Sequence, residues 1–381
     1  MTTTPRGHFA TLLSRFTLAI HLPFGLALAE ALRRTAAPYP YVWGFLGAGV
    51  AFLPFQHVLG TILWDRHRSR WLRLGLEEPY FIHWCACFAS AVPITLAAVV
   101  WPLVCLVRGL PPELPGSFFV GVHAFFFLLA LYGVVFRRRM VAVRRIEVRI
   151  KGLPEAFDGY RIAQLSDLHV GGYSPLSTAR RWTGIANAEK PDLTVVTGDL
   201  VTSGTAFHDD IAEAMAALSA RDGTIVSMGN HDYFGEGDPL VQKLRDRGVT
   251  VLRNESRVVT RGSEELRIGA CDDTWTRRDD LPGVLRDGVP TVLLAHDPDL
   301  FFPAAEAGIP LTLSGHTHGG QVALPFFAER WNPARLKHRH TLGLYRQGDS
   351  YHYVHGGLGV TGPPVRLGVP PEVAVITLRR A

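Results

Sequence analysis

The chain has few cysteines, no charge in its most apolar stretches, and no repeated or low-complexity tract. Its four cysteines are Cys85, Cys87 and Cys105 within one apolar stretch and a solitary Cys271. That spacing offers no disulfide framework and fits a reducing compartment. Residues 41–64, 79–107 and 117–136 contain no Asp, Glu, Lys or Arg. Each run reaches the roughly 20 residues that a helix needs to cross hydrocarbon. Residues 16–29 form a shorter run between Arg15 and Glu30. It reads either as a first span extended by tilting and snorkelling or as a helix lying at the interface. Three further apolar runs follow and no small-residue cleavage site stands out, which argues against a cleaved signal peptide.

The formal charge of +5 over 381 residues comes mostly from arginine. Arg66, Arg68, Arg70 and Arg73 crowd one connection, and Arg137, Arg138, Arg139, Arg144 and Arg145 follow the last run. The other connections carry less charge, Arg33 with Arg34 in one and Arg108 with Glu113 in the next. The bias places both arginine-rich segments, and with them both termini, on the cytoplasmic side of an inner or plasma membrane. His21, His57, His83 and His123 fall in these apolar segments without carboxylate neighbours, so the sequence assigns them packing or interfacial roles. Composition shifts near residue 137, giving an all-α transmembrane region of three or four helices over 1–140 and a second domain over 141–381.

Beyond the shift the pattern is strand, turn, helix. Residues 145–150 alternate like a half-buried strand; 160–165, 193–197, 224–228, 291–295 and 309–313 are short apolar runs ending in polar clusters, and 373–378 closes the chain. Helical spacing marks 177–188, 208–220 and 239–247. This alternation predicts an α/β domain whose ligands gather beyond the carboxyl ends of the strands. No nucleic-acid-binding module or long basic helix is present.

Those strand ends carry Asp167 and His169, then Asp199, then Asn230, His231 and Asp232, then His296 and Asp297, and last His316 and His318 in the turn Gly315-His316-Thr317-His318-Gly319-Gly320. A lone strand-end Asp is usually a cap and a lone His a surface group. Five successive strand ends with potential ligands exceed coincidence, and their mixture of carboxylate, amide and imidazole suits Mn, Fe or Zn.

In order and spacing, Asp167-Leu168-His169, Gly198-Asp199, Gly229-Asn230-His231-Asp232, His296 and Gly315-His316-Thr317-His318 resemble the calcineurin-like metallophosphoesterase superfamily over about residues 145–378. The amino-terminal helices, the Gly-His-Thr-His-Gly-Gly-Gln form of the last motif, and the ending Gly356-Gly357-Leu358-Gly359 through Pro370-Pro371-Glu372 look most like a membrane-associated branch. That branch includes UDP-2,3-diacylglucosamine pyrophosphate hydrolases. The resemblance implies a double β-sheet sandwich flanked by helices, with two divalent transition metals at its edge. One metal would take Asp167, His169, Asp199 and His318; the other would take Asp199, Asn230, His296 and His316. His231 would be the proton or hydrogen-bond donor, with Asp232 orienting its ring and Asp297 orienting His296. Thr202 stands where many members carry an acidic residue, which puts in doubt any contact made by that acid.

The function expected is a membrane-anchored hydrolase of phosphodiester or pyrophosphate bonds, with a lipid-linked nucleotide such as UDP-diacylglucosamine as a candidate substrate and membrane lipids as partners. A phosphomonoesterase acting on soluble esters, or a membrane sensor that binds phosphorylated ligands without turnover, are the alternatives. Two further stretches could select substrate: Asp272, Asp273, Thr274 and Trp275, and the basic, aromatic segment from Arg330 to His340. The second reads more simply as a solvated basic loop.

Overall fold

The computed structural model describes residues 5–63, 67–110, 116–289 and 291–381. Trp64, Arg66 and Glu113 lie outside these residues. The chain divides into two compact units, one comprising Met1–Leu63 and Arg68–Phe136 and the other Trp64–His67 and Arg137–Ala381.

In the first unit the apolar run 16–29 is the middle of a longer helix, α1 (Pro5–Arg34), about 45 Å long at 1.5 Å per residue. The next run is divided into α2 (Pro40–Phe52) and α3 (Phe55–Leu63) at Pro54, which has no N–H to continue the helical ladder. A single turn, α4 (Arg70–Leu72), passes through a wider π turn, Arg73–Glu77, into α5 (Glu78–Arg108). Helix α6 (Gly116–Leu131) likewise runs into a π turn, Tyr132–Phe136. Among the described residues, four helical stretches are long and apolar enough to cross a membrane: His8–Arg34, Pro40–Gly60, Arg70–Arg108 and Gly116–Arg139. Large apolar side chains such as Phe88, Leu106, Phe125 and Leu128 point outward, whereas Glu30, Glu77 and His21 are buried. This distribution is inverted relative to a water-soluble bundle and suits a lipid surround, where polar groups must find partners inside. His57 departs from the expectation that the helix histidines lack carboxylates, since its Nε2 lies 3.2 Å from Glu77 Oε1.

Among the described residues, the second unit has twelve strands in two six-stranded mixed sheets. The first sheet contains β1 (Ala142–Ile150), β2 (Arg161–Leu165), β3 (Leu193–Thr197), β4 (Thr224–Ser227) and β5 (Thr250–Val251). The second contains β6 (Glu255–Arg261), β7 (Glu264–Ala270), β8 (Val292–Leu294), β9 (Leu311–Ser314), β10 (Gly343–Gln347) and β11 (Ser350–Val354). The last strand, β12 (Glu372–Arg380), returns to the first sheet between β1 and β2, giving the orders β1-β12-β2-β3-β4-β5 and β10-β11-β9-β8-β7-β6.

Ile162, Val195 and Ile225 of the first sheet meet Ile268, Val292, Leu294, Leu311 and Leu313 of the second in one buried core. The opposite face of the first sheet, including Leu165, Val196 and Val226, packs on Trp182 of α7 (Leu176–Ala188), Ile211 and Met215 of α8 (His208–Ala216), and Leu240 of α9 (Gly237–Asp246). Burial on both faces explains why these strands read as continuous apolar runs rather than alternating ones. The edge strands β6 and β10 carry Glu255, Arg257, Arg261 and Arg346 instead. A half-solvated, charged edge blunts unwanted strand pairing and hides the apolar signature.

Candidate metal centre

The carboxyl ends of β2, β3, β4, β8 and β9 deliver their polar residues to one place. Neighbouring strands in register bring their ends together, but aiming the side chains inward requires unusual backbone. Asp167, His169, Asp199, His316 and His318 all have positive φ, between 44° and 69°. Non-glycine residues adopt this region at a cost that concentrates at functional sites. Two glycines make room: a Cβ on Gly198 would press on the backbone of Gly229, and a Cβ on Gly315 would overlap Ser166 and Asp167.

Two groups of ligand-type atoms result. In the first, His169 Nε2 lies 3.0 Å from His318 Nε2, and His318 Nε2 lies 3.3 Å from Asp167 Oδ1. In the second, His316 Nδ1 lies 3.1 Å from Asn230 Oδ1 and 3.3 Å from His296 Nε2. Asp199 stands between them, with Oδ2 3.2 Å from His296 Nε2 and 3.6 Å from His169 Nε2. All seven sequence-derived ligand candidates therefore converge. His296 donates from Nδ1 to the Thr197 carbonyl at 2.7 Å, which leaves Nε2 turned inward.

The electrostatics suit cations. Burial holds the His169 and His316 imidazoles down at about 3 and His318 well below the usual range, so all three are neutral and can offer a lone pair. Burial also pushes Asp167 up to about 6. Burial would lower His296 as well, but the Asp199 charge outweighs it and raises that ring to about 10. For Asp199, burial is outweighed by His296 and His231, which keep its carboxylate well below the usual range. A proton on His296 thus occupies the position of positive charge that a metal would fill. Paired ring nitrogens at 3.0 and 3.3 Å, closed around carboxylates, are a donor set that fits two divalent ions.

His231 sits beside this group, its N–H donating to Asp199 Oδ1 at 2.9 Å and its ring edge-on to His169 with centroids 4.6 Å apart. Two orientation assignments need correction. Asp232 accepts from the amides of Leu200 (2.8 Å), Val201 (3.2 Å) and Gly229 (2.9 Å), while the His231 ring is set by Nδ1 donating to the Thr202 carbonyl at 2.6 Å. Burial and the Asp199 charge push Asp232 up to about 8, and those amides pull the other way. Asp297 accepts from the Thr274 hydroxyl (2.6 Å) and the Asp299 amide (2.9 Å), so the Thr197 carbonyl orients His296 instead. At position 202 it is the backbone carbonyl that touches His231, a contact any residue there can make.

Arg366 carries no motif signal. Fully buried, it donates to the carbonyls of Gly356 (2.8 Å) and Gly359 (2.7 Å), and its Nη2 lies 3.2 Å from His318 Nδ1. The Leu358 and Gly359 amides in turn donate to the carbonyls of Ser166 and Asp167. Its guanidinium therefore braces the loop that carries the first ligand pair; burial lowers it to about 10, still cationic at neutral pH.

Residues from the two stretches that the sequence offers as substrate-selecting candidates meet at His316. Trp275 is half exposed with its ring 5.0 Å from the His316 ring, and Lys337 Nζ lies 3.6 Å from the Trp275 centroid. His338 is buried edge-on to His316 and pairs with Asp299 at 3.1 Å. Lys337 and His338 of the basic segment thus line the rim, while Arg330, Arg335 and Arg339 are solvent-exposed, as a solvated loop would have them. Asp272 and Asp273 turn away, Asp272 toward Tyr233 and Arg253 and Asp273 toward the Thr276 amide.

A family model described as calcineurin-like phosphoesterase matches residues 160–320. The uncharacterized metallophosphoesterase YkuE of Bacillus subtilis is 33% identical over 247 residues, covering 63% of this chain and 86% of that one. A transmembrane protein with metallophosphoesterase domain from Danio rerio is 31% identical over 272 residues, 67% of this chain and 61% of its own length. The phosphodiesterase YaeI of Escherichia coli is 29% identical over 223 residues, 58% of this chain and 82% of its own. The transmembrane relative and the four apolar helices together point to membrane association. By match, identity and coverage, the chain belongs to the calcineurin-like phosphoesterase family of metal-dependent hydrolases.

Proposed function

We propose that the protein is a membrane-anchored dinuclear phosphoesterase that hydrolyses phosphodiester or pyrophosphate bonds of substrates presented at a lipid surface, a lipid-linked nucleotide among them. Asp167, His169 and His318 would hold one ion, Asn230, His296 and His316 the other, and Asp199 both. Bound there, two divalent cations supply Lewis acidity, polarising a water and the phosphoryl oxygens. His231, with its Nδ1–H committed to the Thr202 carbonyl, leaves Nε2 as the nitrogen that would donate to a phosphoryl or departing oxygen when the ring is an imidazolium. Trp275 and Lys337 offer the flank of the substrate a ring and a cation beside His316.

The observation that carries the lipid-surface reading is the segment leading from the His316–His318 turn to Lys337. Its base is fixed, because Thr317 donates to the Thr341 carbonyl at 2.6 Å and the Ala323 amide donates to the Leu367 carbonyl at 2.9 Å. Its outer part exposes Leu324, Phe326, Phe327, Trp331 and Leu336 alongside Arg330 and Arg335. Phe326 is completely exposed at a φ of 66°, an unfavourable backbone for a bulky residue. Apolar rings interleaved with cations are the chemistry of a segment that rests in anionic headgroups.

Purified full-length protein with Mn²⁺ should hydrolyse an activated phosphodiester, and Asp199→Ala should reduce turnover by about a thousandfold or more. Full activity in that variant would sink the mechanism. Monoester and diester analogues assayed in parallel separate the two esterase classes, and UDP-diacylglucosamine assayed against soluble nucleotide diesters tests the lipid-linked reading. The arginine bias supports a cytoplasmic domain; a reporter fused after Arg145 that is active only outside reverses this.

A further inference from the structure

The helical unit contains a second cluster of ligand-type side chains, separate from the phosphoesterase site. His21 of α1 is only 1% exposed; its Nδ1 donates to the Thr17 carbonyl at 2.7 Å, and its Nε2 is buried without a partner. The His83 ring of α5 faces it with centroids 5.1 Å apart. Cys87, fully buried one turn further along α5, places Sγ 3.5 Å from His83 Nε2 and 3.8 Å from His83 Nδ1. One ligand atom from each of His21, His83 and Cys87 lies within 4.8 Å of the others. His123 of α6 stands on the other side of His83, centroids 6.1 Å apart, with Nδ1 3.1 Å from the Ser90 hydroxyl. Phe24 and Phe52 close the surroundings against the rings of His83, His123 and His21.

We propose that His21, His83 and Cys87 form a transition-metal site inside the helical unit, one whose imidazole–thiolate donor set takes Zn²⁺ or Cu⁺. Packing alone explains the cluster poorly. A ring nitrogen left unpaired in a hydrocarbon surround is costly, and ionisable groups in such segments converge where they have a task. The i, i+4 spacing of His83 and Cys87 puts both on one face of α5, toward the His21 nitrogen that has nothing else to bind. Two imidazoles and a thiolate are softer donors than the carboxylate-rich phosphoesterase site, so the two sites would sort different ions. Binding exchanges the Cys87 S–H for an S–metal bond and releases that proton to buffer.

Cobalt(II) tests this without reference to turnover. The phosphoesterase candidates offer only nitrogen and oxygen, so a near-ultraviolet thiolate-to-cobalt charge-transfer band in the metal-stripped, Co²⁺-loaded full-length protein reports sulfur ligation alone. We expect the band in the wild type and in Asp199→Ala, its loss in Cys87→Ser, its weakening at least about tenfold at fixed Co²⁺ in His21→Ala, and its persistence in Cys85→Ser and Cys105→Ser. Cys87→Ser should keep its phosphodiesterase activity and elution volume, which separates lost ligation from misfolding. Competition with a Zn²⁺ chelator and with a Cu⁺ chelator should each show whether Cys87→Ser holds one equivalent fewer of that ion, and either loss supports the site. Fully loaded protein without the band, a band that survives Cys87→Ser, or unchanged equivalents of both ions overturns it. Because the cobalt band and the metal equivalents are read without hydrolysis, the hydrolase assignment stands or falls separately.

Discussion

The two halves of the phosphoesterase site are built differently although they share Asp199. The half made by Asp167, His169 and His318 is buried on every side, held by the Arg366 brace and by backbone pairing between residues 166–167 and 358–359. The half made by Asn230, His296 and His316 opens at His316, where Trp275, Lys337 and His338 gather. A closed half suits a permanently held ion whose ligands need no adjustment. An open half suits the ion that meets substrate, because a phosphoryl oxygen must reach it. The contrast teaches that equal ligand motifs in a sequence do not imply equal tasks: enclosure assigns them.

Several substitutions break or sharpen that contrast. The largest effect beyond Asp199→Ala should come from His231→Ala, lowering kcat by about a hundredfold or more with both metal equivalents retained by elemental analysis. Loss of an ion in that variant would make His231 a ligand instead of a donor. Next, Arg366→Met should weaken the more tightly held ion by about ten- to a hundredfold in chelator competition and leave the weaker one unchanged. Equal weakening of both would erase the distinction between the halves. Asp232→Asn should lower stability by about 1–3 kcal/mol in denaturant titration, since one of the backbone amides then faces an NH₂ group, with an unaltered pH–rate profile. A shifted profile would restore an orienting role for Asp232. The smallest effect belongs to Lys337→Ala, about a three- to tenfold rise in KM for an anionic diester at constant kcat. An unchanged KM would remove Lys337 from the substrate surface.

Much of this was legible in the chain before any coordinates. The doubly buried strands β2, β3, β4, β8 and β9 announce themselves as apolar runs, and each ends in the residues that converge. The edge strands β6 and β10 were hidden by their charges, and Arg366 by its isolation from any motif. Asp232 and Asp297 misled because an acid adjacent in sequence to a His is a natural partner on paper. Once the backbone turns, they cap amides and neighbouring carbonyls orient the rings. The juxtaposition of the helix histidines was hidden for the opposite reason: His21 and His83 are 62 positions apart, and no local pattern links them.

By itself the sequence determined the candidate ligand types, their order on successive strands, and the uncharged lengths able to cross a membrane, because these depend on residue identity and periodicity. Only the tertiary structure decided which half of the site is closed, which carbonyl sets each imidazole, that Trp275 and Lys337 share the rim with His316, and that His21 meets Cys87. Those follow from distance and enclosure, which arise when strand ends and helix faces distant along the chain are packed together.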